Sequence, residues 1–303
     1  MVALIIPVYN GGDIYRDCLE AIEMQRHTLN RRLVMESGST DDSRALSLAH
    51  GFEVHDVPAG TFNHGGTRSR AVGMVEDDIV VFLTQDAILD SPDSISRLVE
   101  PFRDPEVGAA FGRQLPHRDA NPLAAHARFN SYGTSTYVTD MDSSYPSGIR
   151  KCFLSNSFAA YRRTAFEAVG GFPTNVILSE DMFVAAKILK AGWKVAYAAE
   201  ATVRHSHNYT VQQEFRRYFD IGVFHRQATW ILEEFGRPEA EGVRVTLDQL
   251  GFLARRGDWR YLPRAVVTAA SKYAGYKLGL MHDRLGPNLS RRLAMHRGFF
   301  KNV

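Results

Sequence analysis

The chain has 303 residues, 45% hydrophobic and 23% charged, with a net charge of +2 and two cysteines. This is the composition of an ordinary soluble globular protein long enough to bury a substantial core. It excludes a disulfide framework and a cysteine zinc site, so Cys18 and Cys152 are expected as reduced core thiols in a cytoplasmic setting.

No apolar run approaches the roughly 20 residues of a membrane span. The segment Met1 to Pro7 lacks a positive n-region and a cleavage site, so a signal peptide is not expected. The charge is unevenly placed. From Gly236 onward there are 13 Lys+Arg against 5 Asp+Glu, a balance of +8, which leaves −6 on the first 235 residues. A basic tail on a near-neutral body suggests an acidic partner, such as an anionic membrane surface or nucleic acid. No nucleic-acid reading motif accompanies the charge, so that partner is not expected.

In chain order, Val2 to Val8 reads as an apolar strand ended by the turn Pro7-Val8-Tyr9-Asn10-Gly11-Gly12. A helix over 13–25 follows, with Ile14, Cys18, Ala21 and Ile22 on one face. A strand over 32–36 leads into Ser37-Gly38-Ser39-Thr40-Asp41-Asp42-Ser43, a loop rich in N-cap residues, and a helix over 43–50. A third strand is expected over 52–57 and a helix over 67–75. Val80-Val81-Phe82-Leu83 is an apolar run that ends in Thr84-Gln85-Asp86, as a buried parallel strand would. Another helix spans 92–102.

This alternation predicts a parallel sheet with helices on both faces. Beyond Gly108 the pattern loosens. A strand over 158–161, a helix over 163–169 before Gly170-Gly171, a helix over 179–191 stopped by Gly192, and a strand over 194–198 remain readable. A helix is expected over 212–235, and more helices after Gly236.

Several side chains stand where ligands of α/β sheets bind, at the carboxyl ends of strands. Glu36 can accept the N3–H of a pyrimidine while the Ser/Thr loop behind it holds a ribose. Asp86 can hold a divalent cation across a diphosphate, or simply start a turn. Glu180-Asp181 opens a helix: Asp181 can take a proton from an acceptor hydroxyl, or both carboxylates complement the helix dipole. In Asn63-His64-Gly65-Gly66-Thr67-Arg68, two glycines before a helix allow close approach to an anion and Arg68 adds a charged fork. His64 is equally a core or turn histidine. His205 and His207 fall on one side of an extended chain and either complete a metal shell begun by Asp86 or are structural. Arg216 and Arg217 follow, one of them expected on a solvated face.

Ile6-Pro7-Val8-Tyr9-Asn10, Glu36-Ser37-Gly38-Ser39-Thr40-Asp41, the strand ending in Asp86, Gly170-Gly171-Phe172 and Glu180-Asp181 occur in the order seen in family 2 glycosyltransferases of the GT-A fold. The chain resembles that family over residues 1 to about 230. The resemblance implies an α/β Rossmann-like nucleotide-sugar domain with a mixed sheet, a divalent cation (Mg²⁺ or Mn²⁺), and inversion at the anomeric carbon. It implies Asp181, with Glu180, as the catalytic pair. Donor contacts would come from Pro7, Tyr9, Asn10, Glu36, Ser39, His64, Gly65, Arg68, Gln85 and Arg217, and metal contacts from Asp86, His205 and His207. The family's Asp-x-Asp motif has Thr84 in place of its first Asp, and Glu36 stands where Asp is more frequent.

Phe62 to Arg68, Leu83 to Ala87, His205 to Tyr209, Arg217 to Gly222 and Tyr273 to Gly279 resemble the rhamnosyltransferase group. That implies dTDP-L-rhamnose as donor, a glycan or lipid-linked saccharide as acceptor, and bacterial surface polysaccharide as product. The rivals are a UDP-hexose or UDP-N-acetylhexosamine donor, and a catalytically silent scaffold at a membrane. The expected division is a catalytic domain over 1–235, with a donor half to about 110 and an acceptor half over 111–235, and a basic helical region over 236–303. Acceptor loops are expected around 115–150. Trp259, Tyr261, Leu262, Val266, Val267, Tyr273 and Tyr276, set among Arg and Lys, suit a peripheral contact with the inner face of the membrane, packing on the catalytic domain, or a second subunit.

Overall fold

The strand Val2–Val8 (β1) lies at the centre of the parallel half of a nine-stranded sheet. The computed structural model describes residues 1–301, apart from the side chains of residues 239–241 and 301. Its contacts group the chain into two units: residues 1–115, 132–174 and 180–205, and residues 116–131, 175–179 and 206–303.

In the first unit β1 is followed by α1 (Gly12–Glu23), β2 (Arg31–Glu36), α2 (Ser43–Ala49), β3 (Glu53–Asp56), α3 (His64–Val72) and β4 (Ile79–Leu83). Then come β5 (Ile88–Leu89), α4 (Ser94–Val99) and β6 (Val107–Leu115). The next helix, α5 (Pro122–Ser131), belongs to the second unit. β7 (Tyr137–Thr139), β8 (Phe158–Arg162), α6 (Arg163–Ala168), α7 (Glu180–Lys190) and β9 (Lys194–Arg204) complete the first.

The strand order is β3-β2-β1-β4-β8-β6-β9-β5, with β7 paired to β9. β3, β2, β1 and β4 run parallel. β8 runs antiparallel to both β4 and β6, while β6 and β9 are parallel. All five residues of β4 are buried, as its unbroken apolar run requires of a strand covered on both faces.

Register brings the chemistry to one edge. Val8 pairs with Glu36, so the turn after β1 and the loop after β2 leave the sheet together. Leu83 pairs with Phe158 on the reversed β8, so the residues just before Phe158 meet those just after Leu83. Leu115 pairs with Arg204, which carries His205 to that edge, and the His205 N–H donates to the Leu115 carbonyl at 2.9 Å, extending the ladder one step.

Several boundaries differ from the sequence reading. α3 begins at His64 rather than 67, because Asn63 caps it with its side-chain oxygen on the Gly66 N–H at 2.8 Å. Two glycines hid that turn from a propensity argument. β9 continues to Arg204, past the expected end at 198, because β6 offers a ladder partner along most of that length across an irregularity after Gly112.

In the second unit the helix expected over 212–235 is two: α8 (Val211–Gln227), opened by a Thr210–Gln213 capping box, and α9 (Thr229–Phe235), separated by Ala228 outside helical geometry. α10 (Glu239–Arg255) and α11 (Leu262–Leu280) follow, then α12 (His282–Leu285) and α13 (Pro287–Leu293).

α8 and α11 pack with their backbones nearly touching. A Cβ at Gly275 would stand 2.4 Å from the Phe215 carbonyl oxygen, one at Gly279 2.1 Å from that of Phe219, and one at Gly222 2.3 Å from that of Tyr276. The buried Asp220 carboxylate accepts the Met295 N–H at 3.2 Å and the His296 N–H at 2.9 Å, tying the end of the chain to α8. The expected boundary at 235/236 thus falls inside the second unit, whose main division from the first comes after His205. Residues 302 and 303 of the expected 236–303 region lie outside the described residues. Among the described residues no helix is long and apolar enough to cross a membrane.

Candidate active site

The three side-chain clusters of the sheet edge are built from residues of the first unit. At the β1/β2 edge the carboxylate of Glu36 accepts the Gly38 N–H at 2.9 Å and the Ser39 N–H at 2.6 Å, folding the Ser/Thr loop back over the strand end. Burial pushes its proton affinity up. The Ser39 hydroxyl, the two N–H groups and Arg44 at 4.0 Å outweigh that, so its pKa lies below the ordinary carboxylate value. Asn10 adopts a left-handed φ of 47° and joins the loop: its N–H meets the Ser39 hydroxyl at 3.0 Å and its side-chain oxygen accepts the Thr40 N–H at 2.8 Å. Gln85 grips Tyr9 from the far side, accepting its N–H at 2.7 Å and donating to its carbonyl at 3.0 Å. Pro7 is the β1 residue paired with Met35. The Tyr9 ring, 57% exposed, stands out from this frame, as a stacking surface for a base must.

Beyond β4, the Ala87 N–H closes a turn on the Thr84 carbonyl at 3.0 Å and presents Asp86. Its Oδ1 lies 3.5 Å from Nε2 of His205. The other ring nitrogen, Nδ1, is 2.9 Å from Oε1 of Gln114, whose amide nitrogen donates to Ser155 at 2.9 Å. An amide oxygen accepts only, so Nδ1 carries a proton and Nε2 is left to face Asp86. An oxygen and an imidazole nitrogen converging in this way, with an amide fixing the tautomer, fit a divalent cation. His207 comes two residues later, where the second unit begins. Within the first unit, Asp86 and His205 are the residues of such a group that could hold a metal ion.

The third cluster is buried. Asp181 accepts the Asn156 N–H on Oδ2 at 3.0 Å and the Met182 N–H on Oδ1 at 2.8 Å. Glu180 beside it, 5% exposed, accepts from Arg68 and from the Asn156 amide, each at 3.0 Å. Burial and the Glu180 charge push Asp181 up to about 7, against the pull of the Asn156 and Met182 N–H groups and of Arg68. Glu180 moves the other way: burial raises it, but Arg68, His64 and Asn156 hold it below the ordinary value. A half-buried carboxyl poised near neutrality is suited to take a proton at physiological pH.

Packing takes up the groups that the Asn63–Arg68 segment was expected to offer an anion. Gly65 is needed because a Cβ there would stand 1.9 Å from the Pro173 carbonyl oxygen, and Gly66 faces the Asn63 cap and Thr174. Arg68 is 5% exposed and bound to Glu180. The Asn63–Arg68 segment is therefore a packed helix start, and neither Gly65 nor Arg68 is turned outward to an anion. His64 accompanies them, with its carbonyl accepting from Arg68 at 3.1 Å and its ring edge-on to Phe62. In the second unit Arg217 is exposed, with its guanidinium 5.9 Å above the Tyr209 ring, and Tyr209 stacks on His207. Residues 115–150, expected as acceptor loops, contain α5 and β7.

Two residues of these clusters were not found from sequence. Asn156 sits between two serines and reads as a turn, and Gln114 closes an apolar strand. No local signal marks either one.

Comparison with known proteins places this geometry. A family model described as glycosyltransferase-like family 2 matches residues 1–220. An O-antigen chain rhamnosyltransferase, RfbN, of Salmonella typhimurium is 45% identical over 304 residues, which cover 100% of this chain and 96% of the relative. A second, WbaN of Salmonella anatum, is 44% identical over 302 residues, covering 99% and 96%. Among solved structures, a Pyrobaculum calidifontis mannosyltransferase in complex with GDP-Man and Mn²⁺ superposes with a TM-score of 0.58 at 18% identity, over 99% of this chain and 84% of that one. At that identity the likeness shows the fold, a GT-A type mixed α/β architecture.

Proposed function

Since the chain belongs to glycosyltransferase family 2 and is a glycosyltransferase, we propose that it transfers L-rhamnose from dTDP-L-rhamnose to a sugar hydroxyl in the assembly of a bacterial surface polysaccharide of the O-antigen kind. The observation that carries the sugar and the product is the identity of 45% and 44%, over essentially the whole chain, to two proteins named O-antigen chain rhamnosyltransferases.

Asp181 is the base. An acceptor O–H gives its proton to the Asp181 carboxylate while the oxygen forms a bond to C1 of the donor. The bond from C1 to the diphosphate oxygen breaks with its electron pair leaving on dTDP, and the configuration inverts. Glu36, Ser39, Asn10 and Tyr9 form the nucleoside end of the site, framed by Pro7 and Gln85, with the thymine N3–H as the donor that a carboxylate accepts. Arg217 and His64 are further candidates for the donor. Asp86 and His205, with His207 as third candidate, would hold a divalent cation such as Mg²⁺ or Mn²⁺. The chemistry supplied there would be neutralisation of the charge gathering on the leaving diphosphate. The acceptor is a glycan or lipid-linked saccharide, and the reaction belongs in the cytoplasm. Exposed Trp259, Val266, Val267 and Tyr273, among the basic residues of the same region, support peripheral contact with an anionic membrane.

Calorimetric titration of dTDP-L-rhamnose and of UDP-glucose, each with and without Mg²⁺ or Mn²⁺, tests this reading. Metal-dependent binding of the rhamnose donor alone is the expected result. Tighter binding of UDP-glucose would overturn the donor assignment.

A further inference from the structure

Three of the groups gathered around the base have no part in the chemistry just described: Arg68, Glu180 and Asn156. Resting on the reading of Asp181 as the base, we propose that these three are positioning residues, a buried charge pair and its amide clamp that hold the Asp181 carboxyl and set the pH at which it can accept a proton.

The three groups are tied to one another and to Asp181. Asn156 holds both carboxylates at once, with its main-chain N–H on Asp181 and its side-chain amide on Glu180, each at 3.0 Å. Its orientation is not free to invert. The Glu180 carboxylate only accepts, so the amide nitrogen must face it, and the side-chain oxygen then takes the buried Tyr161 hydroxyl at 2.8 Å. From α3, Arg68 reaches Glu180 across 112 positions of sequence, both side chains being under 10% exposed.

A buried pair of this kind is a poor source of stability, because desolvation of both ions offsets their attraction. Arg68 also leaves its Nε–H without a partner among the described residues, a further cost to stability. What the arrangement supplies is a fixed negative charge next to Asp181 with its compensating cation one step further away. The groups facing Asp181 are Glu180 on its own helix, Arg68 on α3, with His64 from that helix acting on Glu180, and Tyr161 on β8. Glu180 is thus kept charged so that Asp181 is the carboxyl that titrates near neutrality.

The proposal assigns opposite signs to two substitutions. Glu180→Gln removes the anion and leaves the cation, so the Asp181 titration midpoint falls, by about one pH unit or more. Arg68→Met leaves the anion uncompensated, so the midpoint rises. The double variant removes both charges and falls between Glu180→Gln and wild type. The test is a pH titration of the full-length protein labelled with ¹³C at aspartate carboxyls, the Asp181 signal being identified by its loss in Asp181→Asn, alongside the pH profile of dTDP release from dTDP-L-rhamnose.

The order Glu180→Gln, double variant, wild type, Arg68→Met from low to high midpoint supports the proposal. A midpoint unmoved in Glu180→Gln would overturn it, since a merely structural pair predicts loss of folded protein rather than a displaced titration. If Arg68→Met does not fold, Glu180→Gln and the double variant decide. The carboxyl signal reports on Asp181 whether or not it is the base. Failure of the base reading shows separately, as undiminished dTDP release by Asp181→Asn.

Discussion

Glu36 and Asp181 begin from the same position. Each is a carboxylate at the carboxyl edge of the sheet, and each accepts two main-chain N–H groups. Yet Glu36 is held below the ordinary value while Asp181 is pushed up to about 7. The number of hydrogen bonds cannot decide between them. The neighbour does: beyond its N–H groups Glu36 has the Ser39 hydroxyl and the cation Arg44, whereas Asp181 has the anion Glu180 with Arg68 behind it. One carboxylate is held charged across the physiological range, and the other is placed where its charge can change near neutrality.

The sharpest way to break this contrast is Asp181→Asn. Transfer should fall about 10³-fold, within the range for loss of a general base, with calorimetric donor affinity unchanged. In the wild type the rate should rise as pH passes through about 7, since a base of the proposed kind acts deprotonated. Equal transfer at pH 5.5 and pH 8 by a stopped assay would count against it.

Asp86→Ala comes next. Metal affinity should fall by at least the ~10–100-fold seen when only an outer-shell partner is lost, and the donor's metal dependence should disappear from the titration.

Glu36→Gln places an NH₂ against a main-chain N–H that now meets an oxygen, at a cost of about 1–3 kcal/mol, read as a lower urea midpoint together with weaker dTDP binding. The sign of its pH dependence follows from a depressed folded pKa. Glu36 contributes its full stability above the unfolded value of 4.5 and loses it as pH falls through the folded one, so the gap between variant and wild type should narrow in acid.

Arg44→Gln is the smallest. At 4.0 Å and half exposed, this cation should be worth no more than ~1 kcal/mol. A large loss of stability there would mean that Arg44, rather than the loop N–H groups, holds Glu36 charged.

The parts of this architecture that are periodic or punctuated could be read directly. The run ending in Thr84-Gln85-Asp86 is a buried strand and turn, and the Ser37–Ser43 loop wraps Glu36. The unread parts depend on partners far away in the chain. Arg68 looks like a surface fork until α7 places Glu180 against it, and Asn156 acquires its role only because β8 runs antiparallel to β4 and returns residues 155–157 to the reacting edge. Gln114 gains significance from His205, 91 positions later. Gly65 is instructive in the other direction. Its motif is visible, but the atom that makes it necessary, the Pro173 carbonyl oxygen, is not.

The approach of α8 to α11 has a consequence for how this chain can change over time. Gly222, Gly275 and Gly279 meet opposing backbone at 2.1–2.4 Å from where a Cβ would stand. In an ordinary core a residue that grows can be accommodated by a neighbour that shrinks, and such paired exchanges let sequences drift while the fold persists. Here the opposing groups are glycine and main chain, which have nothing left to give up. Substitution at any of the three has no compensating partner, so variation in the second unit is expected to run around these positions rather than through them.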